Sequence, residues 1–235
     1  MKKAASFFLW TLITLILIFV ALCFFPLFNI SEIEVKGIES LTEEQVIDIC
    51  SLNESQNLFA FNTFKAANEL KKNNYVEDVS FDKKLPHTLV INITERKVRG
   101  YIPYMNSYLY IDEDGRVLDS RPEMTKQLPI VVGLRFNGFT MGELLETDNP
   151  DAYKSVEELS KLFSKYDLLD AVIQVDVSDE DNIHLYVDKV DVLFGDFEDA
   201  NNKMGTLSEI LKQLDTSVAG VLDLTATTPT FKYMS

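Results

Sequence analysis

Only a few residues of this 235-residue chain stand at spacings that catalysis uses. Ser80 and Lys83 match the S-x-x-K spacing of penicillin-recognising enzymes, in which the serine is a nucleophile. That serine begins a helix and acts beside S-D-N and K-T-G elements, whereas Ser80 lies in a predicted strand and the sequence contains neither element. The match is therefore interpreted as a chance spacing.

Candidate metal ligands are equally sparse. Asp112, Asp114 and Gly115 resemble part of a calcium loop, but the third acidic ligand and the closing glutamate are missing at the right spacing. His87 and His184 each lack a histidine or cysteine at ligand spacing, so they are interpreted as a turn residue and a strand residue. No phosphate-binding glycine loop or G-x-S-x-G elbow occurs. The sequence therefore predicts no enzyme, no metal, no cofactor and no small-molecule substrate.

Charge is divided unevenly along the chain. The sequence has 22 basic and 37 acidic side chains, a net charge of −15, which excludes a nucleic-acid binder that needs a basic face. Before Glu32 the only charged side chains are Lys2 and Lys3, so the remainder carries 20 basic against 37 acidic side chains, a net charge of −17.

The segment 7–28 contains 22 residues and no charge. A helix of that length spans about 33 Å, close to the ~30 Å hydrocarbon core of a bilayer, and Trp10 is suited to the interface. A cleaved signal peptide would have a shorter apolar core and small residues at its end, and a lipoprotein signal at Cys23 would have a small residue where Leu22 stands. An uncleaved transmembrane helix is therefore predicted.

Lys2 and Lys3 predict the topology of this anchor. By the positive-inside rule residues 1–6 are a cytoplasmic tail and the chain from residue 29 onward lies outside, as in a single-pass type II protein of the cell membrane. Cys23 and Cys50 fall in different segments and predict no disulfide.

Residues 29–97 are predicted to form a small α+β domain of order β-α-α-β-β. Residues 30–36 alternate as a strand does, Thr42 and Gln45 form a capping box that begins a helix, and Asn62 caps a second helix. Phe64, Ala67 and Leu70 are expected on the inner face of that second helix, and strands are predicted over 75–81 and 88–95.

Three segments of this domain resemble a known family. Residues 84–96 are similar to the LP-x-T-L-x-I-x-I-x-E-R hairpin of the bacterial cell-division proteins FtsQ and DivIB. Residues 57–61 resemble their NLF turn, and residues 33–37 fit their opening I-x-V-x-G. The resemblance implies a POTRA domain that follows a single membrane span.

Residues 98–235 are predicted to form a mixed α/β domain with an extended antiparallel sheet. Asp114-Gly115 favours a hairpin, and Asn149 with Pro150 begins a helix. Strands follow over 172–177, 183–187 and 190–194, then a second helix and closing strands over 221–224 and 230–234. The resemblance continues through residues 128–133, and it matches Lys203 to a lysine near the start of the second helix, with a structural role.

The resemblance implies a function that depends on contact. It implies a non-enzymatic divisome scaffold that binds FtsL and FtsB/DivIC-type bitopic partners near FtsW and a septal transpeptidase, and that links early and late division proteins at the septum. Two other classes stay open: a POTRA-containing envelope assembly or transport factor outside division, and an unrecognised cell-wall enzyme.

The final strand is the expected site of partner binding. An edge strand offers unpaired backbone groups to which a partner strand can add, and the family binds FtsB or DivIC at its terminal strands. Phe231 and Tyr233 would lie on one face as aromatic anchors, although packing into the core is the alternative for either ring. The residues predicted to take part are Thr230, Phe231, Lys232 and Tyr233, with Leu222 and Leu224 on the neighbouring strand.

Overall fold

The computed structural model of the chain describes residues 2–23, 26–53 and 56–234. It divides into two compact units, residues 1–96 and 97–235.

The first unit begins with helix α1, Lys2–Cys23, and a short 3-10 turn, Pro26–Phe28. Phe24 and Phe25, which belong to the predicted anchor, lie outside the described residues. Among the residues that are described, no helix is both long enough and apolar enough to cross a membrane.

The rest of the first unit is a three-stranded sheet covered by two helices, in the predicted order β-α-α-β-β. Its strands lie in the order β1-β3-β2, with β1 parallel and β2 antiparallel to β3. The elements are β1 (Glu32–Lys36), α2 (Glu43–Ile49), α3 (Thr63–Leu70), β2 (Val76–Lys84) and β3 (Thr88–Glu95).

Local signals explain where the two helices begin. The Thr42 hydroxyl accepts a hydrogen bond from the Gln45 backbone N–H, and the Gln45 side chain accepts one from the Thr42 N–H, so the predicted capping box is confirmed. Asn62 Oδ1 accepts from the Lys65 N–H at 2.9 Å and caps α3. The predicted inner face of α3 was wrong for Phe64, which is 76% exposed, because Ala66 and Leu70, one turn apart, face the core instead.

The second unit forms a nine-stranded sheet in the described part of the chain, in the order β12-β11-β10-β9-β8-β7-β4-β5-β6. Its strands are β4 (Gly100–Tyr104), β5 (Ser107–Ile111), β6 (Val117–Arg121), β7 (Ile130–Val132), β8 (Gln174–Asp176), β9 (Ile183–Val187), β10 (Val190–Gly195), β11 (Gly220–Asp223) and β12 (Thr230–Tyr233).

The sheet is mixed, which corrects the expectation of an extended antiparallel sheet. The pairs β4/β7, β7/β8 and β10/β11 are parallel, and the remaining pairs are antiparallel. Helix α4 (Pro150–Tyr166) connects β7 to β8, and helix α5 (Ala200–Leu211) connects β10 to β11. A helical crossover brings the chain back in its original direction, so each helix imposes a parallel pair.

Both helices of the second unit contribute to its core. Buried residues of α4 and α5 pack with residues from β4 through β11; the helical members are Ala152, Val156, Leu159, Phe163, Met204 and Leu207. Pro150 is the first residue of α4, as predicted, but the Asn149 side chain does not cap it. Asn149 instead accepts from the Arg135 N–H at 2.9 Å and donates to the Gly133 carbonyl at 3.1 Å, so it stabilises the loop after β7.

Candidate partner-binding edge

Strand β12 is the last strand at one edge of the nine-stranded sheet. It pairs only with β11 among the described residues, in antiparallel register that joins Phe231 to Leu222 and Tyr233 to Gly220. The sequence-predicted final strand is therefore an edge strand, with one side bonded and the other side directed away from the sheet.

The hydrogen-bond pattern tells which backbone groups of β12 point outward. The Met234 N–H donates to the Ala219 carbonyl at 2.9 Å, whereas the Gly220 N–H donates toward β10, to the Lys189 carbonyl. Bonded and non-bonded pairs alternate along an antiparallel ladder, so Lys232 also bonds β11. The N–H and C=O groups of Phe231 and Tyr233 consequently face the open side of the edge.

Two aromatic side chains accompany these backbone groups. The rings of Phe231 and Tyr233 lie edge to face with their centroids 5.0 Å apart, as the alternation of a strand predicts. Phe231 is half-buried and packs against the core of the second unit, whereas Tyr233 is 73% exposed. Together the two rings extend from the core to the surface, next to the outward-facing backbone groups of β12.

Gly220 makes room for this arrangement. A Cβ atom at Gly220 would lie 2.3 Å from Cζ of Phe231 and 2.9 Å from the Lys232 carbonyl oxygen. A side chain at this position would therefore displace the Phe231 ring or the strand itself.

The remaining predicted site residues divide by exposure. Thr230 and Lys232 are exposed on β12. Leu222 and Leu224 are buried in the core, at 1% and 4% exposure, so their side chains hold the edge in place and do not form its outer surface.

A charged cavity of about 510 Å³ lies beside the loop that leads from β11 into β12. Lys203 at the start of α5 donates to the Asp196 carboxylate at 2.8 Å and to the Asp196 carbonyl at 3.0 Å. This hydrogen bond lowers the pKa of Asp196 below its ordinary value. Lys203 Nζ also lies 5.4 Å from the centre of the Phe194 ring, so the lysine ties the end of β10 to α5.

The S-x-x-K spacing of Ser80 and Lys83 does not bring the two side chains together in the structure. Ser80 and Lys83 both lie within β2, three residues apart, so their side chains leave opposite faces of the strand. The Lys83 ammonium instead lies 6.0 Å from the centre of the Phe59 ring.

The backbone of the predicted hairpin turn is held by hydrogen bonds to Asp112 and Tyr153. Asp112 is buried and its Oδ1 accepts hydrogen bonds from the Asp114 and Arg116 N–H groups, at 3.1 and 2.8 Å. Gly115 has a φ of +78°, and the Tyr153 hydroxyl donates to the Asp114 carbonyl at 2.9 Å. Within the described residues, no three His, Cys, Asp or Glu side chains are placed to hold a metal ion.

The histidines and the described thiol also lie in structural settings. His184 lies on β9, with Nδ1 2.9 Å from Asp191 Oδ1 on the neighbouring strand β10. His87 lies in the turn before β3. Burial raises the pKa of the Cys50 thiol to about 11, which keeps it protonated and unreactive at neutral pH.

Sequence reasoning missed the role of Glu95. This buried carboxylate accepts hydrogen bonds from the Ser40 and Leu41 N–H groups at 2.7 and 3.0 Å, and so ties the end of β3 to the loop before α2. Glu95 stood inside the quoted hairpin motif, where a charged residue at a predicted inward position was the available signal.

Comparison with known proteins identifies the family. Residues 28–96 match the model of the POTRA domain, FtsQ-type, and residues 100–225 match that of the cell division protein FtsQ/DivIB, C-terminal. The second match ends at residue 225, so β12 lies beyond it.

Similar proteins agree with these matches. The chain is 30% identical over 203 residues to cell division protein DivIB of Clostridium tetani, covering 86% of this chain and 77% of that protein. It is 31% identical over 204 residues to DivIB of Clostridium botulinum strain Hall, covering 86% and 79%. A solved structure of the major extracytoplasmic domain of the trans isomer of DivIB from Geobacillus stearothermophilus matches with 18% identity and a TM-score of 0.33, covering 53% of this chain and 98% of that one.

The chain is thus a two-domain protein, in which a POTRA domain is followed by a domain built on a large mixed sheet. The chain belongs to the FtsQ/DivIB family of cell division proteins.

Proposed function

We propose that this chain is a non-enzymatic scaffold of the division complex, which binds FtsL and FtsB/DivIC-type partners and links early and late division proteins at the septum. FtsW and a septal transpeptidase would be brought near through those partners. Membership of a cell-division family supports the cellular process. The open edge of β12 is the observation that carries the mode of action.

The proposed contact is the addition of a partner strand to β12. The outward N–H and C=O groups of Phe231 and Tyr233 would bond to the partner backbone, which supplies affinity with little dependence on sequence. The exposed Tyr233 ring and the rim of Phe231 would contact alternate partner side chains, which supplies selectivity. Thr230 and Lys232 would line the opposite face of the added strand.

We also propose that residues 7–28 hold the chain in the cell membrane as a single type II anchor. The support comes from the uncharged 22-residue stretch and from the apolar side chains that α1 leaves exposed. Those side chains are Phe8, Trp10, Leu12, Ile13, Leu15, Ile16, Leu17, Ile18, Phe19 and Val20.

A binding experiment tests the proposed edge. The full-length chain, purified in detergent, is compared with Phe231→Asp and Tyr233→Asp in its capture of the DivIC-type protein of the same cell. A charge at either position places an unpaired carboxylate in the contact, so capture is expected to fall about tenfold or more, the effect of an interface hot spot. Gln127→Asp, at an exposed position before β7, is the matched control for one added negative charge away from β12. Equal capture by all four proteins would remove β12 as the binding edge.

Imaging tests the cellular role. A fluorescent fusion of a division scaffold is expected to form bands at mid-cell, whereas a uniform envelope signal would contradict the septal role and favour a POTRA protein of another process.

A further inference from the structure

The exposed apolar side chains of the POTRA domain are unevenly placed. Between residues 26 and 96, the large hydrophobic side chains that are exposed in the described residues are Leu27, Phe59, Phe64 and Leu85, at 58%, 39%, 76% and 62% exposure. Scattered single apolar residues are ordinary on a protein surface, but a cluster of this kind marks an interaction site.

Backbone hydrogen bonds place three of these residues around the point where the chain enters the domain. The Leu58 N–H donates to the Phe28 carbonyl at 2.8 Å, which brings the turn with Phe59 to the end of the apolar segment. The Ser31 N–H donates to the His87 carbonyl at 3.1 Å, which brings the hairpin turn with Leu85 to the same place. Leu27 lies in the entering chain itself.

Strand direction leads to the same arrangement. Strand β1 runs parallel to β3 with Glu32 opposite Thr88, so both strands begin at the end of the sheet where the chain enters. The turn between β2 and β3 must lie at that end too, because β2 is antiparallel to β3. The Phe59 and Phe28 rings meet edge to face at 5.2 Å, and Lys83 of β2 lies above Phe59.

Helix α3 adds the fourth apolar residue. The Lys71 ammonium at the end of α3 pairs with Asp78 near the start of β2 at 2.7 Å, which places the end of α3 at the far end of the sheet. The turn with Phe59, at the near end, comes just before α3, so α3 runs from the side of the near end toward the far end and carries Phe64 in its first turn. The far end carries the charged residues Lys71, Lys72, Glu77 and Asp78, all exposed.

We propose that these four residues form an apolar collar, Leu27, Phe59, Phe64 and Leu85, which docks onto the membrane–water interface beside the point where the chain leaves the bilayer. The inference rests on the proposed anchor, since residues 7–28 end at the collar. The transfer of aromatic and aliphatic side chains from water into the interfacial region of a bilayer is favourable in free energy. Lys83, next to Phe59, is placed to extend its ammonium toward lipid phosphates. The docked collar would fix the orientation of the POTRA domain relative to the membrane surface.

Tryptophan fluorescence tests the collar in the full-length chain. The chain contains a single tryptophan, Trp10, so a Trp10→Phe background allows new probes at Phe59→Trp and Leu85→Trp, with Glu77→Trp as the matched exposed probe at the far end. Each protein is reconstituted into phosphatidylcholine–phosphatidylglycerol vesicles with plain or brominated acyl chains. We expect brominated lipid to quench the two collar probes about twofold more than the Glu77→Trp probe, because interfacial residues insert about 5–10 Å.

The unmodified chain separates this inference from the proposed anchor. Quenching of Trp10 together with equal, weak quenching of all three new probes would overturn the collar while the anchor stands. Quenching of the collar probes without quenching of Trp10 would support interfacial docking and remove the span. Collar probes shielded from acrylamide in solution, yet not quenched by brominated lipid, would identify a second copy of the chain as the occupant and overturn the proposal.

Discussion

Strands β2 and β12 are both outer strands of their sheets, yet their side chains differ sharply. Strand β2 has a register shift between Val76 and Asp78 and an exposed surface rich in charge. Strand β12 is regular, and its outward backbone groups are flanked by two aromatic rings. The charged residues of β2 are Glu77, Asp78, Asp82, Lys83 and Lys84.

This difference explains why β2 is protected against the addition of a further strand, whereas β12 is open to it. Charges and irregular register oppose the addition of a foreign strand, because the added strand would have to bury or displace them. Uncharged aromatic side chains beside regular, open backbone favour it. We therefore expect strand addition at β12 and not at β2, although both strands offer the same backbone chemistry.

The largest expected effect comes from closing the outward backbone of β12. Tyr233→Pro removes an N–H that faces the open side, and proline is tolerated at such an edge position. We expect capture of the DivIC-type partner to fall about 100-fold, equivalent to about 2.7 kcal/mol. Tyr233→Ala removes the ring and keeps the N–H, so it separates backbone from side chain. Lys83→Ala in β2 should leave capture of the partner unchanged. Weaker capture by this variant would show that the partner binds β2, contrary to the expectation.

The next effect concerns the stability of the small sheet. Glu95→Gln replaces a buried carboxylate that accepts two backbone hydrogen bonds, and is expected to cost about 2 kcal/mol of unfolding free energy. Glu77→Gln, at an exposed position of β2, is the control. Urea unfolding followed by circular dichroism measures the difference. Partner capture below the unfolding transition should not change, since the proposed edge belongs to the other sheet.

A smaller effect is expected under the Phe231 ring. Gly220→Ala places a methyl group against that ring and is expected to cost about 1 kcal/mol through overpacking, together with weaker capture. Gly138→Ala is the control, because a Cβ there would meet no atom within 4 Å. Thermal unfolding of the two variants measures the cost, and equal stability would mean that Phe231 moves aside freely.

The smallest effect concerns the ion pair behind the β11–β12 loop. Because Lys203 holds the pKa of Asp196 below its ordinary value, its stabilisation is complete above the unfolded pKa of about 3.9. It is lost as the pH falls through the lower folded pKa. Lys203→Met should therefore lower the melting temperature at about pH 7 but make little difference at about pH 2.

Lys212→Met removes a lysine from an exposed pair with Glu209 and serves as the control for lost charge. A deficit of Lys203→Met that persists unchanged in acid would show that the lysine stabilises through Phe194 and the Asp196 carbonyl, and not through the Asp196 carboxylate.

Much of the local structure followed from the sequence. The helix start at Thr42, the strand from Thr88 to Glu95 and the strand from Ile183 to Val187 depend on neighbouring residues, through caps and alternation, and each lies where predicted. The final strand was also predicted, with Phe231 and Tyr233 on one face, because alternation is a local pattern. Its expected place at a sheet edge agrees with the strand order.

Side-chain contacts between residues far apart in the chain were not predicted. Asn149 stands at the helix start that its type favours, yet its side chain bonds the loop after β7. The buried Glu95 has partners 54 and 55 residues away. No local pattern contains such partners, because they meet only when the strands assemble.

The sequence by itself determined the family, the division into an uncharged segment and an acidic remainder, and most of the helices and strands. It could do so because motifs, charge and periodicity are carried by contiguous residues. Only the tertiary structure decided the strand order, the parallel pairs that α4 and α5 impose, and the open side of β12. It also gathered Leu27, Phe59, Phe64 and Leu85 at one end of the POTRA sheet, since their common position follows from hydrogen bonds between segments far apart in the chain.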